Sequence, residues 1–188
     1  MTTQILTRKG SVLETPSIIN MLFNDKRSSI LWLIVRVWLG YQWINAGLQK
    51  ITNPAWMQTG AALKGFWMGA VKIPTEGHPP VAYDWYRNFL QVMLDSNAYV
   101  WFAKIVAISE MAFGILLILG IFVGFTAFSA GFMNWNFIMA GSASVNGIFF
   151  GLSVFLVLAW KVAGYLGLDY FILPRLGDLW SPARVNNE

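Results

Sequence analysis

ILWLIVRVWLGYQWI at residues 30–44 and FAKIVAISEMAFGILLILG at residues 102–120 are apolar enough to cross a bilayer, yet each carries a charge near its middle, Arg36 and Glu110. A charge at bilayer depth costs a few kcal/mol or more and persists only when it is paired, hydrated or used. The two signs are opposite, so the first expectation is that these residues meet. With the first helix starting near Ser28, Arg36 lies about 12 Å from the inner end at ~1.5 Å per residue. With the second helix ending near Gly120, Glu110 lies about 15 Å from the same side. An Arg36–Glu110 ion pair is therefore expected, as catalytic element or as architecture.

Composition supports the membrane setting. Of 188 residues 56% are hydrophobic and 12% charged, about half the charge of an ordinary soluble domain. Ten Trp and fourteen Phe agree with an interfacial aromatic belt. There is no cysteine, so disulfides, thiolate nucleophiles and cysteine-ligated clusters within the chain are excluded. A single histidine, His78, excludes bis-histidine haem in one copy, and no metal or haem is expected. The net charge of +4 is too small and scattered to argue for nucleic acid.

Four apolar segments, at about 29–47, 98–119, 121–140 and 147–166, approach the ~20 residues of a spanning helix. The expected fold class is an all-α membrane protein. It is a four-transmembrane-helix bundle with a long, partly helical extracytoplasmic loop between helices 1 and 2. Lys and Arg at both ends, including Arg8, Lys9, Lys26, Arg27, Lys161, Arg175 and Arg184, place both termini in the cytoplasm of a multi-pass cell-membrane protein. The parts are a cytoplasmic tail at 1–28, without a signal-peptide pattern, a membrane domain at 29–177 and a C-terminal tail at 178–188. A short interfacial turn is expected at IINMLF, residues 18–23.

The outer loop, about 48–97, is too long for an idle connection. Its stretches GAALKGFWMGA (60–70) and YDWYRNFLQVML (83–94) read as two amphipathic helices, either a lid or interfacial anchors. Small residues suit close helix packing: Gly124, Ala127 and Gly131 on the third segment, and Gly147 with Gly151 as GxxxG on the fourth. A homodimer through these faces is one use, plain packing the other. Polar side chains gather toward the outer leaflet: Tyr41, Gln42, Trp43, Asn45, Gln49 and Lys50, with Lys104, Asn134 and Asn136. They form a candidate cavity floored by the charge pair. Its inventory suits an anion or a quinone carbonyl, with a carboxylate to relay protons.

RVWLGYQWINAGLQKITNP (36–54), EMAFGILLILGIFVGFTAF (110–128), NWNFIMAGSASVNGIFF (134–150) and LAWKVAGYLGLDYFILPRLG (158–177) together resemble the DoxX/DoxD family from about residue 30 to 177. The resemblance implies four spans and a relationship to the membrane subunit of thiosulfate:quinone oxidoreductase, which oxidises two thiosulfates to tetrathionate and passes the electrons to quinone. It places Arg36 and Glu110 at the family's charged positions, here the candidate catalytic pair. Lys50, Asn134, Asn136 and Asn146 fall at recurrent polar positions. Candidate substrate and quinone contacts are Trp43, Asn45, Gln49, Lys50, Lys104, Asn134 and Asn136. The implied partners are the lipid bilayer, thiosulfate or a similar small anion, quinone as diffusible acceptor, and a companion DoxA-like subunit. The alternative is a non-catalytic anchor or assembly subunit of a redox complex. A transporter or channel ranks third, because no inverted repeat or broken helix is visible.

Overall fold

The computed structural model describes residues 16–176, and among them the secondary structure is entirely helical. A short helix α1 (Ser17–Asn24) leads through a 3-10 turn into α2 (Ser29–Ile51). The connection that follows holds α3 (Pro54–Met57), α4 (Ala61–Val71) and α5 (Asp84–Asp95). Then come α6 (Tyr99–Leu119), α7 (Val123–Met139), α8 (Asn146–Leu158) and the short turns α9 (Trp160–Ala163) and α10 (Asp169–Ile172). Of the tails expected at 1–28 and 178–188, residues 1–15 and 178–188 lie outside the described residues, and the rest of the first tail holds α1 and the 3-10 turn.

The long helices associate in pairs, α2 with α6 and α7 with α8, joined through α6 and α7. The tightest pairing is α2 on α6. A Cβ on Gly40 would lie 2.8 Å from the Gly114 carbonyl oxygen, and one on Gly47 would lie 2.6 Å from the Met111 nitrogen. Only glycine permits that backbone-to-backbone approach, in the small-residue manner of helices in lipid. The expected small face of α7 is used as well. Ala127 and Asn134 are buried, and a Cβ on Gly131 would meet Ser153 at 3.0 Å. The GxxxG of α8 behaves differently, because Gly147 and Gly151 face open space.

By length and hydropathy α6 alone among the described helices qualifies as a span by itself. Helix α2 is long enough at 23 residues but carries Arg36, Gln42, Asn45, Gln49 and Lys50. Helices α7 and α8 are shorter, at 17 and 13 residues, since the expected fourth segment breaks at Ala159. The outer surface is nonetheless strongly apolar: Ile34 and Trp38 on α2, Ile108 and Ile115 on α6, and Phe125 and Phe128 on α7 are exposed. A continuous apolar exterior of this kind marks contact with a membrane or a large partner.

Both loop helices lie where the sequence predicts them. Helix α4 packs on α5 and on α6, and their buried Leu63, Trp67, Ala70, Tyr86 and Leu90 form a second core with Val81, Ala98, Ala103 and Ala140. They therefore close over one end of the long helices, with Trp85, Phe89 and Met68 left exposed. The turn predicted at residues 18–23 is α1, whose Ile18, Ile19 and Met21 are exposed while Phe23 stacks on Trp32 at 5.6 Å.

Gly47→Ala should lower the thermal stability of purified protein by about 1–3 kcal/mol, because the new methyl group meets backbone that cannot yield. Gly151→Ala should cost nothing measurable. Circular-dichroism melts of both variants in the same detergent check the contrast.

Candidate functional site

The expected Arg36–Glu110 pair does not form. Helix α2 runs antiparallel to α6 with Gly40 against Gly114 and Gly47 against Glu110 and Met111. In that register Arg36 lies level with Leu117 and Ile118, while Glu110 lies level with the end of α2. Eleven residues of α2 separate Arg36 from Gly47, about 16 Å of rise. Equal depth assumed that both helices reach the same inner plane. Helix α6 stops about a turn and a half short of the start of α2, at Gly120, and Arg36 meets its last carbonyls.

Arg36 Nη1 donates to the carbonyls of Leu117 at 2.6 Å and Ile118 at 2.8 Å, and Nη2 donates to the Leu166 carbonyl at 2.7 Å. The last turn of a helix leaves carbonyls without partners and a negative dipole end, and a guanidinium fork answers both needs. Gly120 ends α6 with φ +69°, and a side chain there would collide with that guanidinium at 2.7 Å. On the opposite side Asp169 caps the start of α7. Its Oδ1 accepts from Phe122 N–H at 2.6 Å and its Oδ2 from Val123 N–H at 2.8 Å. The Asp169 backbone N–H also donates to the Gly120 carbonyl at 2.8 Å. Burial pushes the Asp169 carboxyl up from its ordinary pKa, and the two amide hydrogen bonds and the Arg36 charge hold it down. Arg36 and Asp169 together thus clamp the α6–α7 turn.

Glu110 pairs instead with Lys50: Nζ and Oε2 are 2.6 Å apart, with the carboxylate side chain 2% exposed and the lysine 19%. The Lys50 ammonium also lies 5.1 Å from the Trp56 ring centre, a cation–π contact that compensates part of its lost hydration. The pair lines a cavity of about 310 Å3 shared with Gln42, Trp43, Asn134 and Asn146 and walled by Phe66 and Phe137. Two of these polar groups are unsatisfied. Trp43 Nε1 and both amide atoms of Asn134 are buried and have no hydrogen-bond partner. Buried polar groups are nearly always bonded, so these N–H donors beside an ammonium can serve an acceptor placed in the cavity.

A second cavity of about 400 Å3 lies between α6 and α7 under α4 and α5. Its walls are aromatic and apolar, including Trp67, Phe102, Phe113 and Phe132, with Tyr86, Ser129 and Asn136 as polar points. Tyr86 Oη is 3.1 Å from both the backbone carbonyl and Oδ1 of Asn136, and burial pushes its pKa up to about 12, so the phenol keeps its proton near neutrality. Phe89, Ile105, Phe128 and Phe132 line this cavity and are also exposed on the exterior, so it opens sideways. Phe66 and Phe137 belong to the walls of both cavities and meet edge to face at 6.0 Å.

Of the residues singled out in the sequence, Gln42, Trp43, Lys50, Glu110, Asn134 and Asn146 converge on the polar cavity. Asn136 faces the apolar one. Arg36 is committed to main-chain carbonyls, Asn45 is half-buried on α2 away from either lining, and Gln49 is exposed. Lys104 lies six residues from Glu110 on α6, about 9 Å along it. Sequence reasoning missed Trp56, a loop aromatic without periodic context, and Tyr86, which an amphipathic pattern alone does not distinguish from an anchor. It also missed Asp169 as the second clamp residue.

A helical protein with an apolar exterior, a buried ion pair beside unsatisfied donors and a second aromatic cavity is in class a membrane subunit with internal cavities. The family described as TQO small subunit DoxD matches residues 31–185, and the chain belongs to this family of membrane subunits. No curated protein and no solved structure matches the chain.

Arg36→Met should cost about 3 kcal/mol or more, since it strands buried carbonyls and leaves Asp169 uncompensated. Arg36→Lys should recover little, because a single ammonium cannot reach carbonyls on two segments as the fork does. Thermal melts of both variants test this. The melting temperature of Lys50→Met should fall less, as Lys50 is partly solvated.

Proposed function

We propose that the protein is the multi-pass, quinone-linked membrane subunit of a thiosulfate:quinone oxidoreductase, in which the polar cavity takes the sulfur anion and the apolar cavity takes the quinone head group. The observation that carries the reading is the meeting of Lys50 with the unpartnered Trp43 indole N–H and Asn134 amide in one buried space. An ammonium and two neutral N–H donors stabilise a small oxyanion by charge-assisted hydrogen bonds, and the aromatic walls limit its hydration. Family membership supports the substrate class.

The chemistry balances without a protein thiol. Two thiosulfates lose one electron each and join through a sulfur–sulfur bond to give tetrathionate. Quinone, when bound, accepts those two electrons together with two protons. Lys50 and Asn134 hold the anion, Trp43 orients it, and the Phe66–Phe137 wall keeps the donor and acceptor compartments adjacent but separate. In the second cavity the flat walls suit a ring, and the Asn136 side chain with the protonated Tyr86 phenol supplies polar anchorage. Arg36 enters none of these steps and maintains the scaffold. Four passes, with α4 reaching over both cavities and α5 over the apolar one, fit the apolar exterior and leave both ends of the chain on one side of the bilayer. A companion subunit would dock on that frame.

Purified protein in nanodiscs, mixed with thiosulfate and a short-chain quinone, should reduce the quinone, alone or with its companion chain. Lys50→Gln should lower kcat/KM for thiosulfate by at least about tenfold, the worth of one charged hydrogen bond. Val106→Trp, which fills the apolar cavity, should raise KM for the quinone and leave KM for thiosulfate unchanged. If Val106→Trp altered both constants alike, or neither, the assignment of separate compartments would be wrong.

A further inference from the structure

The polar cavity contains an obstacle to its own ligand. Lys50 is the cation available to an anion, and it is already neutralised by Glu110 at 2.6 Å. A dianion entering beside an ionised Glu110 would place a net excess of negative charge in a buried site, where interactions are weakly screened. We propose that anion binding at Lys50 is proton-coupled: Glu110 takes up one proton as the anion arrives and releases Lys50 to it. The proposal rests on the anion reading of the cavity and adds the means by which that site admits its charge.

The surroundings single out Glu110 as the group that accepts this proton. Its own helix α6 carries Lys104 about 9 Å away along the axis. From α2 it faces Lys50, with Arg36 about 16 Å away at the other end of the helix and tied to carbonyls. The cavity lining from α3, α4 and α7 is Trp56, Phe66, Asn134 and Phe137, and from the α7–α8 turn and α8 it is Ser142, Val145, Asn146 and Phe149. None of these titrates near neutrality. No second charge in the lining can offset an incoming anion, so compensation falls to the carboxylate. Glu110 is 2% exposed, and a neutral carboxyl at that depth costs less than an unpaired carboxylate. The protonated carboxyl becomes a further O–H donor, and the Lys50 ammonium keeps its Trp56 contact while turning its N–H groups to the ligand. The proton comes from water on the open side of the cavity. It leaves again when two thiosulfates, four charges in all, depart as one tetrathionate dianion.

Sign and size follow from linkage. Binding raises the affinity of Glu110 for a proton, so anion affinity is full at pH values below the carboxyl's pKa in the free protein. Above that value it falls by about tenfold per pH unit, until the pKa in the complex is passed. The test is isothermal calorimetry of thiosulfate, and separately of sulfate, binding to nanodisc protein from pH 5.5 to 8.5 in buffers of different ionisation enthalpy. About one proton taken up per anion, together with the tenfold slope, is expected. For Glu110→Gln, binding should persist with the slope and the proton uptake both abolished. Binding with no proton uptake and a flat pH profile in the wild type overturns the coupling and leaves the anion site standing. No binding of either anion at any pH overturns both. The proton count on wild-type protein decides even if the variant fails to fold.

Discussion

Helices α2 and α6 touch backbone to backbone, with Gly40 on Gly114 and Gly47 on Met111, and that contact fixes the register in which every other polar group finds its partner. Sliding one helix by a turn, about 5.4 Å, would take Arg36 off the α6 terminus and Lys50 off Glu110 together. The glycines thus convert a steric allowance into an electrostatic arrangement. At one end of the pair a guanidinium closes a helix, and at the other an ammonium meets a carboxylate. Two charges on α2, fourteen residues apart, divide into a helix-closing contact and an ion pair because α6 offers different chemistry at each level: bare carbonyls near Leu117 and a side-chain carboxylate at Glu110.

The two ends differ in what their charges meet. Around Arg36 the Nη groups donate to three carbonyls and two amides bond Asp169 across the same turn, leaving only Nε unpartnered on the guanidinium. Around Glu110 the ion pair is made, yet the neighbouring indole and amide are not. A bonded network rigidifies, whereas buried polar groups left unpaired are costly in a low-dielectric interior. The roof of α4 and α5 adds the second compartment, and its Phe66 contributes to both.

Much of the architecture was legible in the sequence because it rests on patterns with strong physical causes. The helical stretches at 30–44 and 102–120, the two amphipathic loop helices and the small face of α7 all follow from periodicity and residue size. Family membership was legible from the four motifs and is supported by the match over residues 31–185. Half of the site was legible too, as Trp43, Lys50, Glu110 and Asn134 share a cavity. The pairing was not. Depth along a helix says which residues could be level only when the ends are level, and α6 ends at Gly120, where Arg36 meets its last carbonyls from another helix. Asp169 was unreadable for the same reason, since its role is to cap a helix forty-six residues earlier. The GxxxG of α8 shows the converse: a motif that permits close contact does not create it, and Gly147 and Gly151 face no neighbour within the chain.

The central claim is that the space around Lys50 is the anion site. Selenate diffused into crystals of the protein and located by anomalous scattering at the selenium edge tests it most directly. The account predicts a selenium peak within hydrogen-bonding reach of Lys50 Nζ, Trp43 Nε1 and the Asn134 amide, with the Lys50–Glu110 distance lengthened. A peak beside Arg36 or Lys104 and none in the cavity would contradict it.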